Sequence, residues 1–308
     1  MHKFILRRVL MMLPVLLGAM FVIFTLVYIT PGDPARILLG ERAPTEAVQA
    51  LRHEMGLDRP FLAQFAGYVL RVVRLDLGTS FSTGRPVFDE LSFRVPSTAK
   101  LGGISLLVAI LIGIPMGIIC SIRHNSILDS VATILGLIAL SVPNFWLGLM
   151  LILLFSVNLG WLPVTGFSTP LHWILPAFTI GLSLAGEFMR FTRSSMLEVI
   201  RQDYIRTAWA KGQKESAIIV KHALKNALIP LITVVGLSFG GLMGGAVLTE
   251  TIFAIPGIGS FMVQSIASRD FPIIQGGVLM IAVIFSFVNL LVDILYGFAD
   301  PRIRSQYK

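Results

Sequence analysis

Gly236-Leu237-Ser238-Phe239-Gly240 is the one string in this sequence that spells a nucleophile. The Gly-x-Ser-x-Gly pattern serves acyl transfer when it forms a sharp strand-to-helix turn, with a histidine and a carboxylate in reach of the serine. Here it lies inside an uncharged apolar stretch, 227–248, that supplies neither. The same stretch has a second reading. Gly236, Gly240 and Gly244 recur at i, i+4 and i+8, with Gly241 and Gly245 beside them. That small-x-x-x-small spacing lets helices in a membrane approach closely. The context favours packing, and no catalytic residue is assigned.

Other chemistry is sparse. No Gly-x-x-x-x-Gly-Lys-[Ser/Thr] string is present, so the chain has no phosphate-cradling loop of its own. There is no His-Glu-x-x-His, and Cys120 is the single cysteine, which leaves no metal-ligand pattern. His2, His53, His124, His172 and His222 are scattered. No cofactor or metal is therefore expected in this chain. Four polar groups in or next to apolar stretches are candidates for a pathway or gate: Glu187, Glu250, Asn289 and Asp293. Each has an equally good reading as a polar contact between helices. Glu187 and Arg190, three apart, can pair on one helix face, and Asn289 and Asp293, four apart, share one.

The most informative polar segment is Asp203-Tyr204-Ile205-Arg206-Thr207-Ala208-Trp209-Ala210-Lys211-Gly212. Asp203 suits a helix N-cap, Gly212 suits the residue after a helix, and Lys211 suits the negative end of the helix dipole. The sequence predicts a short helix whose small residues at 207, 208 and 210 leave a low surface between Tyr204 and Trp209. A second helix is expected from about Glu215 to Ala227, with Ile218, Ile219 and His222 on one side. Such a pair is either a solvated connector or a surface made for a partner groove.

Composition fixes the setting of these segments. The 308 residues are 55% hydrophobic and 14% charged, and the mean hydropathy is +0.81. Soluble domains are ~45–50% apolar and ~25% charged, and disordered chains less apolar still. The useful unit is thus the membrane span, ~20 residues. Six segments qualify: Val9–Ile29, Leu101–Ile122, Ser130–Val157 interrupted by Pro143, Trp173–Met189, Ala227–Leu248 and Val278–Phe298. They are read as helices, since the alternating ~10-residue strands of a barrel are absent. Val9–Ile29 is too long for the ~7–15-residue core of a signal peptide and is followed by turn residues, Thr30-Pro31-Gly32-Asp33-Pro34, so it is read as a retained helix.

The net charge of +8 follows the membrane, not nucleic acid. Eight Lys and Arg fall in 190–226, three at the N-terminus and three in the tail, whereas 158–172 has none and 249–277 has only Arg269. The positive-inside rule places both termini and 190–226 in the cytoplasm. Segment 31–98 then lies outside, and with eight basic and eight acidic residues it is neutral. It looks folded. Thr45–Met55 reads as a helix stopped by Gly56, and Phe61, Phe65, Tyr68, Val69 and Val72 fall at helical spacing with Gln64, Arg71 and Arg74 between them. It is either a cap packed on the membrane helices or a docking surface.

With these segments in order, the chain resembles the permease subunits of the bacterial dipeptide/oligopeptide/nickel branch of ABC importers, over essentially its whole length. The resemblance rests on Arg7-Arg8, Pro31-Gly32-Asp33-Pro34, Met55-Gly56-Leu57-Asp58-Arg59-Pro60, Asp76-Leu77-Gly78 and Asp203-Tyr204-Ile205-Arg206-Thr207-Ala208. It continues through Lys211-Gly212, His222-Ala223-Leu224-Lys225-Asn226-Ala227, Glu250-Thr251-Ile252-Phe253, Pro256-Gly257-Ile258-Gly259, Arg269-Asp270-Phe271-Pro272 and Asp300-Pro301-Arg302-Ile303-Arg304. In such permeases the loop around Gly212 is the EAA loop, which docks on the ATPase. Arg206-Thr207-Ala208 stand where the general pattern has Glu-Ala-Ala, Leu224-Lys225 replace Leu-Pro, and Trp209 stands where this branch often has Arg.

The resemblance implies an all-α integral membrane protein of the type I importer permease fold. Its six helices would carry a folded external segment between helices 1 and 2. Residues 1–95 would hold the first helix and that segment, 96–298 the five-helix transport domain with its coupling loop at 194–228, and 299–308 a cytoplasmic tail. It also implies a second, similar permease, two ATPases that bind ATP and Mg, an external substrate-binding protein, and surrounding lipid in the inner membrane. The cargo would be a dipeptide, an oligopeptide, glutathione or a nickel chelate. The competing reading, a self-sufficient secondary transporter or channel, requires inverted repeats with matching broken helices; Pro143 and Pro230 mark no such repeat. Reporter fusions test the orientation. Fusions at Gln49 and Gly160 should report outside and at Lys214 inside, and an inside signal at Gly160 would overturn the six-span arrangement.

Overall fold

The structure, a computed structural model, describes residues 2–244 and 246–299. Gly245 and the tail residues 300–308, including the Asp300–Arg304 string, lie outside the described residues.

The first helix, α1 (His2–Ile29), leads into a run of short helices: α2 (Pro34–Leu39), α3 (Thr45–Glu54), α4 (Phe61–Val73) and α5 (Val87–Ser92). Local chemistry sets their ends. Asp33 accepts a hydrogen bond from the Ala35 amide at 3.1 Å with Pro34 beside it, and Gly56 takes φ 69° after α3. The apolar spacing read in α4 is used: Phe61, Phe65 and Tyr68 stack against Phe21, Phe24 and Tyr28 of α1, and Val69 and Val72 join a core with Met20 and Leu279.

The remaining helices are α6 (Val95–Ile122), α7 (Ile127–Ser141), α8 (Asn144–Leu151), α9 (Ile174–Ile200), α10 (Asp203–Ala210), α11 (Glu215–Ala217), α12 (Lys225–Met243), α13 (Val247–Ile252), α14 (Ile258–Ala267) and α15 (Phe271–Ala299). π-helical turns at Ile152–Asn158 and Ile218–Leu224 extend α8 and join α11 to α12. By length and composition four unbroken helices can cross a bilayer, Ile5–Ile29, Val87–Ile122, Pro170–Ile200 and Phe271–Ile294, and the count is six when each of two bent pairs is one span.

The structure corrects four sequence boundaries. The span expected at Ser130–Val157 is two helices meeting at 101°, because Val142 precedes Pro143 and is driven to an extended conformation (ψ 124°). The span expected at Ala227–Leu248 ends at Met243 and resumes as α13, consistent with the low helix propensity of its glycines. The separate helix expected at Glu215–Ala227 runs on into α12 with a 49° bend near Pro230. The fourth span, expected to stop at Met189, continues to Ile200.

Within lipid, helices gain nothing from burying apolar surface against one another, so close backbone contact and hydrogen bonds must hold them. Glycine supplies that contact. A Cβ on Gly113 of α6 would sit 2.5 Å from the Ala185 carbonyl of α9, and one on Gly117 would sit 2.6 Å from the Met189 carbonyl. On α9, Gly181 faces the Ser105 carbonyl of α6 at 2.9 Å and Gly186 faces the Gly136 carbonyl of α7 at 2.5 Å. The glycine stripe of α12 lies on α15: Gly236 against Val292, Gly240 against Phe285 and Gly244 near Ile281. Gly241 meets nothing within 4 Å and contributes no contact inside the chain. Ser238 donates to the Val234 carbonyl at 2.9 Å, one turn back along its own helix.

Gly113→Leu and Gly236→Leu should each cost more than the ~1–3 kcal/mol usual for overpacking, since at Gly113 the obstacle is backbone. Gly103→Leu should be neutral, because Gly103 has open space. Thermal unfolding in detergent checks the series. Ser238→Ala should leave stability and activity unchanged.

Candidate functional site

The polar end of the molecule is built on α9. Beyond Met189 that helix continues for three turns, turns at Gln202 and starts α10. The N-cap position is occupied by Gln202, not by Asp203, which is the first helical residue and makes only a 3.7 Å exposed contact with Arg206. Asp203 still places negative charge at the positive end of the helix dipole.

One side of α10 is sealed. Ile205 and Ala208 pack with Met196 of α9 and with Ile218, Ala223 and Ala227 of the π-turn and α12. This corrects the outward placement expected for Ala208, which is buried. Leu224 packs at the edge of the same cluster. Polar bridges tie the layers. The Asn226 amide donates to the Tyr204 hydroxyl at 2.9 Å and to the His222 carbonyl at 3.0 Å, and the His222 ring nitrogen lies 2.8 Å from the Gln213 side-chain oxygen. Gly212 takes φ 71°, as a left-handed terminator does, and its amide donates to the Trp209 carbonyl at 2.9 Å.

The other side is open. Tyr204 is 43% exposed and Trp209 50%, with Arg206, Thr207, Ala210 and Lys211 exposed between and beside them. Arg201, Lys214, Lys221 and Lys225 are exposed nearby, so the surface is aromatic, low and positively charged. It suits an acidic groove with an apolar floor. Sequence reasoning missed its anchor: Arg193 of α9 binds both oxygens of Asp129 on α7, at 2.6 and 2.8 Å, and Asp129 also accepts the Asn125 amide at 3.0 Å. The signal was available, an acidic residue in the first turn of one helix and an arginine in the extension of another beyond its apolar part, but nothing in the sequence pairs them.

The other candidates do not converge. Glu187 and Arg190 are both exposed on α9 and no ion pair joins them among the described residues, contrary to one expectation. Asp293 pairs with Arg8 of α1 at 2.8 Å, and the side-chain oxygen of Asn289 is buried without a hydrogen bond. Glu250 is fully buried and faces no pathway within this chain. It accepts from the Thr98 hydroxyl at 2.6 Å and the Ser260 amide at 2.9 Å, while Thr98 accepts from the Ile258 amide at 2.9 Å. It therefore closes the N-terminus of α14 onto α6. Among the described residues no cluster of three His, Cys, Asp or Glu could hold a metal.

Comparison with known proteins agrees with this geometry. Residues 113–305 match the model of the family described as binding-protein-dependent transport system inner membrane component, and residues 1–102 match that of its N-terminal region. A dipeptide transport system permease protein of Alkalihalophilus pseudofirmus is 41% identical over 99% of this chain and 100% of its own length. A glutathione transport system permease protein of Pectobacterium atrosepticum is 41% identical over 99% of both, as is a dipeptide transport system permease protein of Escherichia coli. A chain of the MetNI methionine ABC transporter in an inward-facing conformation superposes with a TM-score of 0.57 at 18% identity, covering 68% of this chain and 96% of that one. At that identity the likeness concerns the fold, the type I permease arrangement.

Asp129→Asn should lower stability by about 2 kcal/mol, between the ~0–1 kcal/mol of an exposed pair and the ~3–5 kcal/mol of a buried one. Arg193→Lys should lose part of that, because an ammonium cannot span both oxygens. Thermal unfolding of the purified protein measures both.

Proposed function

The chain belongs to the family of binding-protein-dependent transport system inner membrane components, and from that premise we propose how its parts divide the work of an ATP-driven importer. It is a membrane-spanning permease subunit of an ABC importer and holds no nucleotide motif. The relatives named above carry dipeptides or glutathione, so the cargo assigned here is a short peptide of that kind. Residues 1–95 supply the first helix and outer cap, 96–298 the transport domain with its coupling loop at 194–228, and 299–308 the cytoplasmic tail.

The observation that carries the mechanism is α10: sealed on one side, aromatic and basic on the other, and continuous with α9. Two ATPases, which bind ATP and Mg, dock on this face of the chain and of a second, similar permease. An external binding protein delivers cargo to the opposite side, and both termini of the chain are cytoplasmic. When the ATPases close, force enters at Tyr204, Arg206, Thr207, Trp209, Ala210 and Lys211. The buried contacts of Ile205 and Ala208 carry it into α9, and the Asp129–Arg193 pair and the glycine contacts carry it on to α7 and α6. Glu187 and Arg190, exposed on α9, face the partner permease or the pathway between the two. A secondary transporter would need no such surface.

Ala208→Glu puts an unpaired charge into the sealed core, and Gly212→Val puts a branched side chain at φ 71°. Both should insert in the membrane normally and reduce uptake and substrate-stimulated ATP hydrolysis by the assembled complex at least tenfold. Cysteine at Trp209 or Ala210 should crosslink to an ATPase with a yield that changes on ATP addition. Wild-type uptake by both variants with no crosslink would make α10 a solvated connector.

A further inference from the structure

We propose that the outer cap is a phospholipid-binding element: α4 lies in the membrane interface, and the cavity between α4 and the end of α1 holds a phospholipid, phosphate towards Arg59 and Arg71 and an acyl chain along Phe24 and Tyr28.

The depth of α4 comes first. Its aromatic residues stack on Phe21, Phe24 and Tyr28, and α1 leaves the apolar span at Ile29. At ~1.5 Å per residue the contacts therefore fall within about 12 Å of the membrane boundary. Amphipathic interfacial helices sit with the apolar face ~5–10 Å into the headgroup and acyl region. The face of α4 turned away from α1 is itself apolar. Leu62, Ala66, Leu70 and Val73 form one stripe, with Leu62 71%, Leu70 59% and Val73 73% exposed. In water such a face is costly. The span that α4 packs beside, α1, also exposes apolar residues over the same depth, Leu17, Phe21, Val22, Leu26 and Ile29. Lipid is thus the occupant that one surface already requires and the other adjoins.

The cavity gives the chemistry. It measures ≈ 710 Å³, within the ~300–1,000 Å³ range of ligand sites. Phe24, Val27 and Tyr28 line its membrane side, and Arg52, Arg59 and Arg71 line it among the polar groups. Arg52 is neutralised by Asp33 at 2.8 Å, whereas the guanidinium groups of Arg59 and Arg71 make no ion pair among the described residues. Asp76 also lines the cavity and accepts the Gly78 amide at 2.9 Å. Two free guanidinium groups and an apolar wall at the membrane boundary match an anionic headgroup attached to an acyl chain. A soluble anion would use only the first of these.

The full chain, purified with its partner subunits, provides the test. A spin label on Leu70→Cys, in a Cys120→Ala background, should collide more with oxygen than with a water-soluble nickel chelate in phosphatidylglycerol nanodiscs. A label on Asp58→Cys should show the reverse. Phospholipid retained through detergent washing, counted by native mass spectrometry, should fall by one molecule per chain in the Arg59→Gln/Arg71→Gln double variant. The Arg36→Gln/Arg42→Gln control, on cap arginines that do not line the cavity, should retain it. Unfolding temperature is measured alongside, so that loss of lipid is read only from folded protein, and in the single Arg71→Gln variant should the double one fail to fold. Three results overturn the proposal: a water-exposed label at Leu70, equal lipid retention in the double variant and control, or displacement of the lipid by millimolar glycerol phosphate, which would make the cavity a soluble-anion site. Protection of the Leu70 label from both relaxants on adding the external binding protein would make the stripe a protein-docking face and overturn it as well.

Discussion

Everything in this molecule hangs on the contact between α6 and α9, where glycine lets backbone touch backbone. Inside a bilayer the usual drive to bury apolar side chains is absent, so two helices stay together only through dispersion at short range and polar contacts. Gly113 and Gly117 on one helix and Gly181 and Ala185 on the other bring carbonyls within the distance a Cβ would occupy. Gly186 repeats the device against α7. One helix thereby holds two neighbours, and that helix continues past its apolar part as the support for α10.

A second constraint acts where the chain turns back on itself around α13 and α14. Irregular backbone there must satisfy its amides without water. Two buried carboxylates do so with no cationic partner among the described residues. Glu250 caps α14 through the Ser260 amide and the Thr98 hydroxyl, and the glycines at 257 and 259 leave room for its carboxyl group. Asp270 accepts the Phe81 and Ser82 amides at 3.1 Å and the Ser80 hydroxyl at 2.5 Å, joining the cap to the start of α15. The Pro256-Gly257-Ile258-Gly259 and Arg269-Asp270-Phe271-Pro272 strings thus close loops within the chain.

Polarity at the two ends of the molecule serves different purposes. At the α10 end, charge is exposed, and among the described residues its ion pairs are the Asp129–Arg193 anchor and the long, solvent-exposed Asp203–Arg206 contact, which suits a surface that a partner must find and release. At the cap, some charges are used within the chain, as in the Arg52–Asp33 and Arg94–Glu90 pairs at 2.8 and 2.6 Å. Exposed apolar groups lie among the exposed charges there, and the cap is bound to α1 by aromatic rings packed edge-on and stacked.

By itself the sequence determined the class of the protein, the order of its apolar segments, two of the four cap helices, α3 and α4, the short helix before Gly212 and the family. Those properties follow from local rules: apolar run length, the 3.6-residue period, and turn chemistry at proline and glycine. It could also name the α12 glycine stripe, because the spacing alone marks a close approach. Only the tertiary structure decided which way each element turns. Ala208 went inward because Met196 of α9 and Ile218 and Ala223 of the π-helical turn converge on it from two segments, and the span expected at Ser130–Val157 folded into two helices because Pro143 displaced Val142. Glu250 became a loop clamp because Thr98, 152 residues away, reaches it. Arg193 found Asp129 as its partner across 64 residues. A one-dimensional pattern records which residues want a partner; the partner itself is chosen by helices crossing in space, at distances along the chain that no local period can encode.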